Sequence, residues 1–298
     1  VGPDTAANLM LAHDRRLRIA YGAKGDQELN HHPVVRDWLA DHPIGHLARG
    51  AQRHAEMIVV SDVLHSYDAA TGVSTSVETA RELFRQTLDY KLVRIRPASM
   101  GAEQPTGYSC YSCLELFVHI GMYRPRILER LGTDVGNTIY GRQRPDFPAE
   151  LRPFVAPDGL GRPITDFSRP ARTVDDTRHD PAAPLPPAGL EMCRQYSQCL
   201  HKGSVPGVAH RAEEFFVNPG FFQWCRGLAD DFGRTLGVRA FPIGEENTME
   251  GFIVGDEHGR MFLLDQAGEW FLGTSLDEAL VTLYYGREQP RLRDDRSW

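Results

Sequence analysis

Two short groups of reactive side chains stand out along the 298 residues: His54-Ala55-Glu56 and Cys110-Tyr111-Ser112-Cys113. Imidazole nitrogen and cysteine thiolate are ligands that zinc takes in a tetrahedron, and a catalytic site supplies three of them and leaves the fourth position for water. One histidine and two cysteines meet that count. The two-residue gap lets both sulfurs converge on one metal at the first turn of a helix, where unsatisfied N–H groups and the positive dipole end favour thiolate over thiol. His54 and Glu56 are two apart, so at a helix start one can hold the metal while the other faces the adjacent substrate space. A carboxylate there can take a proton from water and return it to a leaving group. Plainer readings exist for each group: a surface histidine, a buried or redox thiol pair, or a closed structural zinc site with His46, His65 or His119 as fourth ligand. The last leaves Glu56 without a role.

The elements that must position these groups follow from hydrophobic periodicity. Leu17 to Tyr21 reads as a short strand, and Val34 to Leu39 fits strand or helix. From Gly50 to His65, apolar residues at Ala55, Ile58, Val59, Val63 and Leu64 recur at three- and four-residue spacing, which predicts a helix. Val77 to Leu88 predicts a second amphipathic helix with Ala80, Leu83, Phe84, Thr87 and Leu88 on one stripe. Lys91 to Arg96 alternates and is stopped by Pro97, the pattern of a strand, and Cys113 to Met122 predicts a helix after a Gly/Ser/Tyr-rich loop. The succession strand, helix, helix, strand, loop, helix suits a layered α/β domain.

Bulk composition bounds what such a site can serve. The length allows one large domain or two of ordinary size. A 41% hydrophobic content and mean hydropathy of −0.38 supply enough apolar surface to close a core, which excludes a wholly disordered chain. No apolar run approaches the roughly 18 residues of a membrane span. A basic segment followed by an apolar one is absent, so no secretory signal is expected. Five cysteines, sparse and odd in number, fit a reducing cytosol better than a disulfide scaffold, and a cytoplasmic protein is expected. Residues 1–203 carry 24 Lys+Arg and 24 Asp+Glu, against 9 and 16 in residues 204–298, so the whole net charge of −7 lies in the last third. Net acidity excludes a bulk polyanion binder, and its distribution implies two differently charged modules. Half of the 20 prolines lie between Pro145 and Pro187, a stretch that cannot propagate helix or central strand and reads as a linker, with an extended segment wrapped over one domain's surface as the alternative.

His54-Ala55-Glu56 followed by Cys110-x-x-Cys113, in the surroundings RHAEMIVVSDVL and YSCYSCLE, resembles the cytidine-deaminase superfamily, most closely its YwqJ-like branch found among bacterial polymorphic-toxin deaminases. The resemblance implies zinc as cofactor, His54, Cys110 and Cys113 as its ligands, and Glu56 as catalytic proton shuttle. It implies an α/β deaminase-type three-layer domain, a mixed sheet flanked by helices, over residues 1–145. The expected substrate is a nucleobase-containing molecule, either single-stranded nucleic acid or a small molecule. Ser109, Tyr108 and Tyr111 are candidate substrate-binding residues in the loop before the cysteine helix. Arg124 and Arg126, followed by Arg130, Arg142 and Arg144, are candidate phosphate-binding residues, with a solvated charged face as the alternative. The histidines at 31, 32, 42 and 46 read as solvated or capping residues, and Cys193, Cys199 and His201 as ordinary side chains whose spacing fits no common zinc module.

After the linker, residues 146–190, the segment 191–298 reads as a smaller α+β domain. Gly251 to Val254 and Met261 to Leu264 flank a glycine-containing turn as a hairpin, and Trp270 to Leu272 is a third strand. Ser275 and Glu278 form a capping box opening a helix that closes at Gly286, and Arg211 to Val217 and Trp224 to Leu236 predict earlier helices. Its runs FPIGEE and GRMFLLDQAGEWFLGTSLDEALVTLYYGR resemble the SUKH-3 immunity proteins. That resemblance implies a protein partner, or an intramolecular contact, engaged through the acidic module. The rival expectation for the whole chain is a catalytically inactive toxin-binding or immunity protein.

Overall fold

The computed structural model describes residues 5–95, 109–131, 138–141, 149–151, 187, 189, 199–218, 222–247 and 250–298. The chain divides into two compact units: Gly2–Thr133 with Gln266–Gly268, and Asp134–Asp265 with Glu269–Trp298. Helices and sheets are mixed in both.

In the N-terminal unit a three-stranded antiparallel sheet runs in the order β2-β1-β3, formed by β1 (Thr5–Leu11), β2 (Leu17–Tyr21) and β3 (Thr87–Arg94). Leu9 of β1 stands opposite Arg18 on one side and Tyr90 on the other. The central strand β1 has no counterpart among the expected elements. Its sequence, TAANLML, is poor in β-branched and aromatic residues, and it is held by its neighbours rather than by propensity. Ala7, Leu9 and Leu11 alternate into the core.

Four helices accompany this sheet: α1 (Pro33–Ala40), α2 (Ala55–Thr71), α3 (Val77–Phe84) and α4 (Tyr111–His119). Helix α1 resolves the ambiguity at Val34 to Leu39. Pro33 sits in its first turn, and His32 Nδ1 accepts from the Val34 amide at 3.2 Å. The expected capping role thus falls to His32, whose Nε2 also contacts Asp68 at 3.0 Å. The long expected helix over Val77 to Leu88 is corrected: α3 ends at Phe84, and Thr87 and Leu88 open β3 instead. Pairing of Thr87 with Leu11 of β1 overrides the helical stripe, which is how tertiary context defeats local propensity. Strand β3 therefore starts before the expected Lys91, and Arg96 lies outside the described residues. Helix α2 opens at Ala55 rather than Gly50, after a 3₁₀ turn over Ala51–Arg53, and continues past His65 to Thr71. A short α5 (Arg126–Leu131) follows α4.

The C-terminal unit is built on a seven-stranded sheet in the order β10-β9-β8-β7-β6-β5-β4. The strands are β4 (Thr138–Gly141), β5 (Cys199–Lys202), β6 (Phe215–Val217), β7 (Ala240–Glu246), β8 (Gly251–Asp256), β9 (Met261–Asp265) and β10 (Gly268–Gly273). The expected hairpin has the register Gly255 to Met261 and Val254 to Phe262. Helix α6 (Arg226–Leu236) packs Leu228, Ala229 and Phe232 into a core with Phe252, Val254, Phe262 and Leu264. A helix expected over Arg211 to Val217 is corrected to strand β6, whose β-forming Phe-Phe-Val run pairs on both sides, with β5 and β7. Most of the proline-rich stretch lies outside the described residues.

Helix α7 (Leu276–Tyr285) opens on the capping box read from sequence: Ser275 Oγ accepts the Glu278 amide at 3.2 Å, and the Glu278 carboxylate accepts the Thr274 amide at 2.7 Å. It closes at Gly286, with φ +57°, where an added Cβ would lie 2.1 Å from the His210 carbonyl oxygen. Gly286→Ala is therefore expected to destabilise this unit by more than about 2 kcal/mol, read as a lowered urea midpoint.

Candidate metal centre

Each proposed ligand sits where a helix begins. His54 is the N-cap residue of α2, its backbone extended at φ −68°, ψ 141°, and Cys110 is the N-cap residue of α4 at φ −62°, ψ 163°. Neither side chain caps its own helix, so imidazole and thiol are left to turn toward each other. Cys113 follows in the first turn of α4. Ser112, beside it, fixes the helix end: its Oγ accepts the Ala48 amide at 2.8 Å.

The resulting geometry is compact. His54 Nδ1 lies 3.4 Å from Cys110 Sγ and 3.4 Å from Cys113 Sγ, and the three ligand atoms lie within 4.8 Å of one another. Tetrahedral zinc with Zn–S about 2.3 Å and Zn–N about 2.0 Å separates nitrogen from sulfur by about 3.5 Å. The residues therefore fit the metal in element type, number and spacing. His54 Nε2 faces the Arg49 carbonyl oxygen at 3.2 Å, which can only accept, so Nε2 carries the proton and Nδ1 presents its lone pair to the sulfurs. All three residues are buried. Among the described residues this is the one such cluster; His46, His65 and His119 do not join it. His65 is engaged elsewhere, with Nε2 3.0 Å from the Asn30 carbonyl.

Electrostatics differ between the two thiols. Cys110 is held well below the ordinary thiol range, foremost by a hydrogen bond from Cys113. Burial pushes Cys113 up, and the neighbouring Cys110 adds to that.

Glu56, in the first turn of α2, is fully buried, and neither carboxylate oxygen has a hydrogen-bond partner. Burial raises its pKa above the ordinary carboxylate range. A buried carboxyl without partners is unfavourable for folding and is characteristic of a group kept for chemistry.

Ser109 is buried, and its Oγ lies 2.6 Å from Tyr90 Oη. Tyr111 is half-buried at the start of α4, and Tyr108 lies outside the described residues. Arg124 and Arg126 are exposed, just before and at the start of α5, and are not among the groups that converge; Arg142 and Arg144 lie outside the described residues. On β5, Cys199 is pushed up to about 12 and His201 down to about 4, both by burial, and Cys193 lies outside the described residues. Two neighbours were not legible beforehand. Tyr90 is one, and its alternation in β3 marks it only as a strand residue. The other is Gln266, which belongs to the same unit and whose Oε1 accepts the first-turn Ala55 amide at 3.1 Å. That contact spans 211 residues, beyond any local signal.

No helix among the described residues is long and apolar enough to cross a membrane. No curated protein and no solved structure matches the chain. Two protein families do: residues 2–118 match the YwqJ-like deaminases, and residues 182–286 match the SUKH-3 immunity proteins. His54, Glu56, Cys110 and Cys113 all fall within the first match. The chain thus carries, in this order, a region that matches the YwqJ-like deaminases and a region that matches the SUKH-3 immunity proteins.

Proposed function

We propose that the chain is a zinc-dependent hydrolase that removes the exocyclic amine of a nucleobase, carried in nucleic acid or in a free nucleotide, nucleoside or base. The observation that carries this reading is His54 Nδ1 at 3.4 Å from both cysteine sulfurs, beside a buried carboxyl with no partner. His54, Cys110 and Cys113 would hold the metal, and the group supplies, when bound, Lewis-acid activation of water at neutral pH. Glu56 Oε accepts the water proton, delivers it to the ring nitrogen next to the reacting carbon, and carries a second proton to the departing amine. One C–N bond is broken, one C=O bond is formed, and ammonia leaves. The raised pKa of Glu56 suits it to both receiving and giving the proton.

The same reading assigns the deaminase-type three-layer fold to residues 1–145, a linker to 146–190 and the immunity-type domain to 191–298, in a cytoplasmic protein. Ser109, Tyr108 and Tyr111 would line the base pocket and Arg124 and Arg126 contact phosphate. The immunity-family match and the acidic last third support a basic protein partner, a toxin-type surface, for the C-terminal domain. Mass spectrometry of the zinc-loaded chain with single- and double-stranded DNA, RNA and a panel of nucleotides, nucleosides and bases tests the activity. Amine-to-carbonyl conversion of one substrate class is expected. No conversion in any, with tight binding of a basic partner, would favour the inactive immunity protein. Activity that weakens steeply with salt would select nucleic acid over a small molecule, because backbone contacts release counterions.

A further inference from the structure

Residues 204–298 carry nine cationic side chains, all of them arginine, and three of the nine line one cavity of the C-terminal unit. It encloses about 290 Å³ beside α6 and the start of β7, with Arg226, Arg234 and Arg239 on its lining, Asp230 as the carboxylate among them, and an apolar wall that includes Val238 and Phe241. The sequence builds it locally. Arg226, Asp230 and Arg234 recur every four residues and so share one face of α6. The helix stops at Gly237, left-handed at φ +75°, and the Val238 amide donates to the Gly233 carbonyl at 2.9 Å, which folds the chain back toward the helix. Gly233 admits the returning chain, since an added Cβ would lie 2.6 Å from the Val238 carbonyl oxygen.

Charge around the cavity is unbalanced. Arg226 Nε is 3.9 Å from the Asp230 carboxylate, at the outer limit of an ion pair, and Arg234 pairs with Asp231. Arg226 Nη1 is buried and has no hydrogen-bond partner among the described residues. A shielded guanidinium N–H without an acceptor is costly, and a ligand oxygen removes that cost. Three guanidinium groups against one carboxylate favour a dianion over a single carboxylate, and a phosphate monoester carries about −1.5 to −2 at neutral pH. The planar guanidinium fork also matches phosphate oxygens in geometry. The cavity holds roughly ten times a water's share of liquid volume, about 30 Å³, and its apolar wall offers contact to an organic remainder. We propose that this cavity binds a phosphate group, free or carried by a small organic molecule, through Arg226, Arg234 and Arg239. The site rests on neither the deaminase reading nor the basic-partner reading of the C-terminal domain.

Isothermal titration calorimetry of the full chain with inorganic phosphate and with ribose 5-phosphate, at constant ionic strength and with acetate as the monoanion control, tests this. One phosphate per chain is expected with a Kd below about 1 mM, and no saturable heat with acetate. Tighter binding of ribose 5-phosphate would assign a phosphate ester and equal binding the free ion, and either supports the site. Arg226→Gln and Arg239→Gln should each weaken binding by about tenfold or more, the scale of a hydrogen bond to a charged group, while the melting temperature without ligand stays close to the parent's. Asp230→Asn, which removes the competing carboxylate, should tighten binding severalfold, a gain that general destabilisation cannot produce. Phosphate binding that is equal in the parent and both arginine variants, weakened in Asp230→Asn, or matched by acetate would mean an adventitious ion only and overturn the proposal, as would the absence of saturable binding. Amine removal is not a readout, so a parent inactive on every base leaves this test intact.

Discussion

Glu56→Gln is expected to keep zinc at one per chain while turnover falls by at least about 10²- to 10⁴-fold, the usual contribution of a positioned general acid–base group. The amide matches the carboxyl in size, so the ligand cluster is undisturbed, but it cannot accept and return a proton. The same substitution should raise the stability of the metal-free protein at neutral pH. Glu56 has a folded-state pKa raised by burial, so its favourable contribution is complete below its unfolded value, near 4.5, and is lost as pH rises through the folded value. At neutral pH the native state therefore holds a carboxyl disfavoured in either form: charged without partners, or protonated against the solution pH. Gln removes that penalty, and the melting temperature should rise relative to the parent at neutral pH and converge with it in acid. Parent-like turnover in Glu56→Gln would refute the shuttle. A melting temperature lowered at all pH values would show that the carboxyl makes structural bonds.

Cys110→Ser is expected to abolish both metal retention and activity. A neutral hydroxyl replaces the thiolate that the environment most favours, and only two ligands remain. Metal that binds only the folded chain stabilises it by about 4 kcal/mol at a thousandfold excess over its dissociation constant. A chelator should accordingly lower the melting temperature of the parent and leave Cys110→Ser unchanged. His54→Ala should behave in the same way. Stoichiometric zinc in Cys110→Ser after desalting, or chelator-insensitive melting of the parent, would remove this cysteine from the ligand set.

The candidate cluster was largely legible in sequence because its three side chains come as two local groups, each at a helix start, and side-chain type, spacing and helix position are short-range properties. His54 and Cys110 do occupy N-cap positions, and the long gap between them is filled by α3 and β3. What tertiary contacts decide was not legible. Strand β1 is short of β-forming residues, yet it is central because two neighbours pair with it. Thr87 and Leu88 continue a helical stripe, yet they enter β3 because Leu11 is opposite. Arg211 to Val217 carried a helical pattern, and pairing with β5 and β7 made its end a strand. In the C-terminal unit the β8–β9 hairpin and the Ser275 capping box, both local devices, lie where they were read. Tyr90 and Gln266 reach the site only through the fold.

The central claim is a metal held by three protein ligands, with Glu56 beside it rather than bound to it. X-ray absorption spectroscopy of the zinc-loaded chain tests this directly, since sulfur and nitrogen or oxygen scatter at resolvable distances of about 2.3 and 2.0 Å. One zinc per chain with two sulfur neighbours and two light-atom neighbours is expected. Replacing Glu56 by Gln should leave that first shell unchanged, and replacing Cys110 by Ser should destroy it. A shell with three or four sulfurs, or one that loses a light atom in Glu56→Gln, would contradict the account.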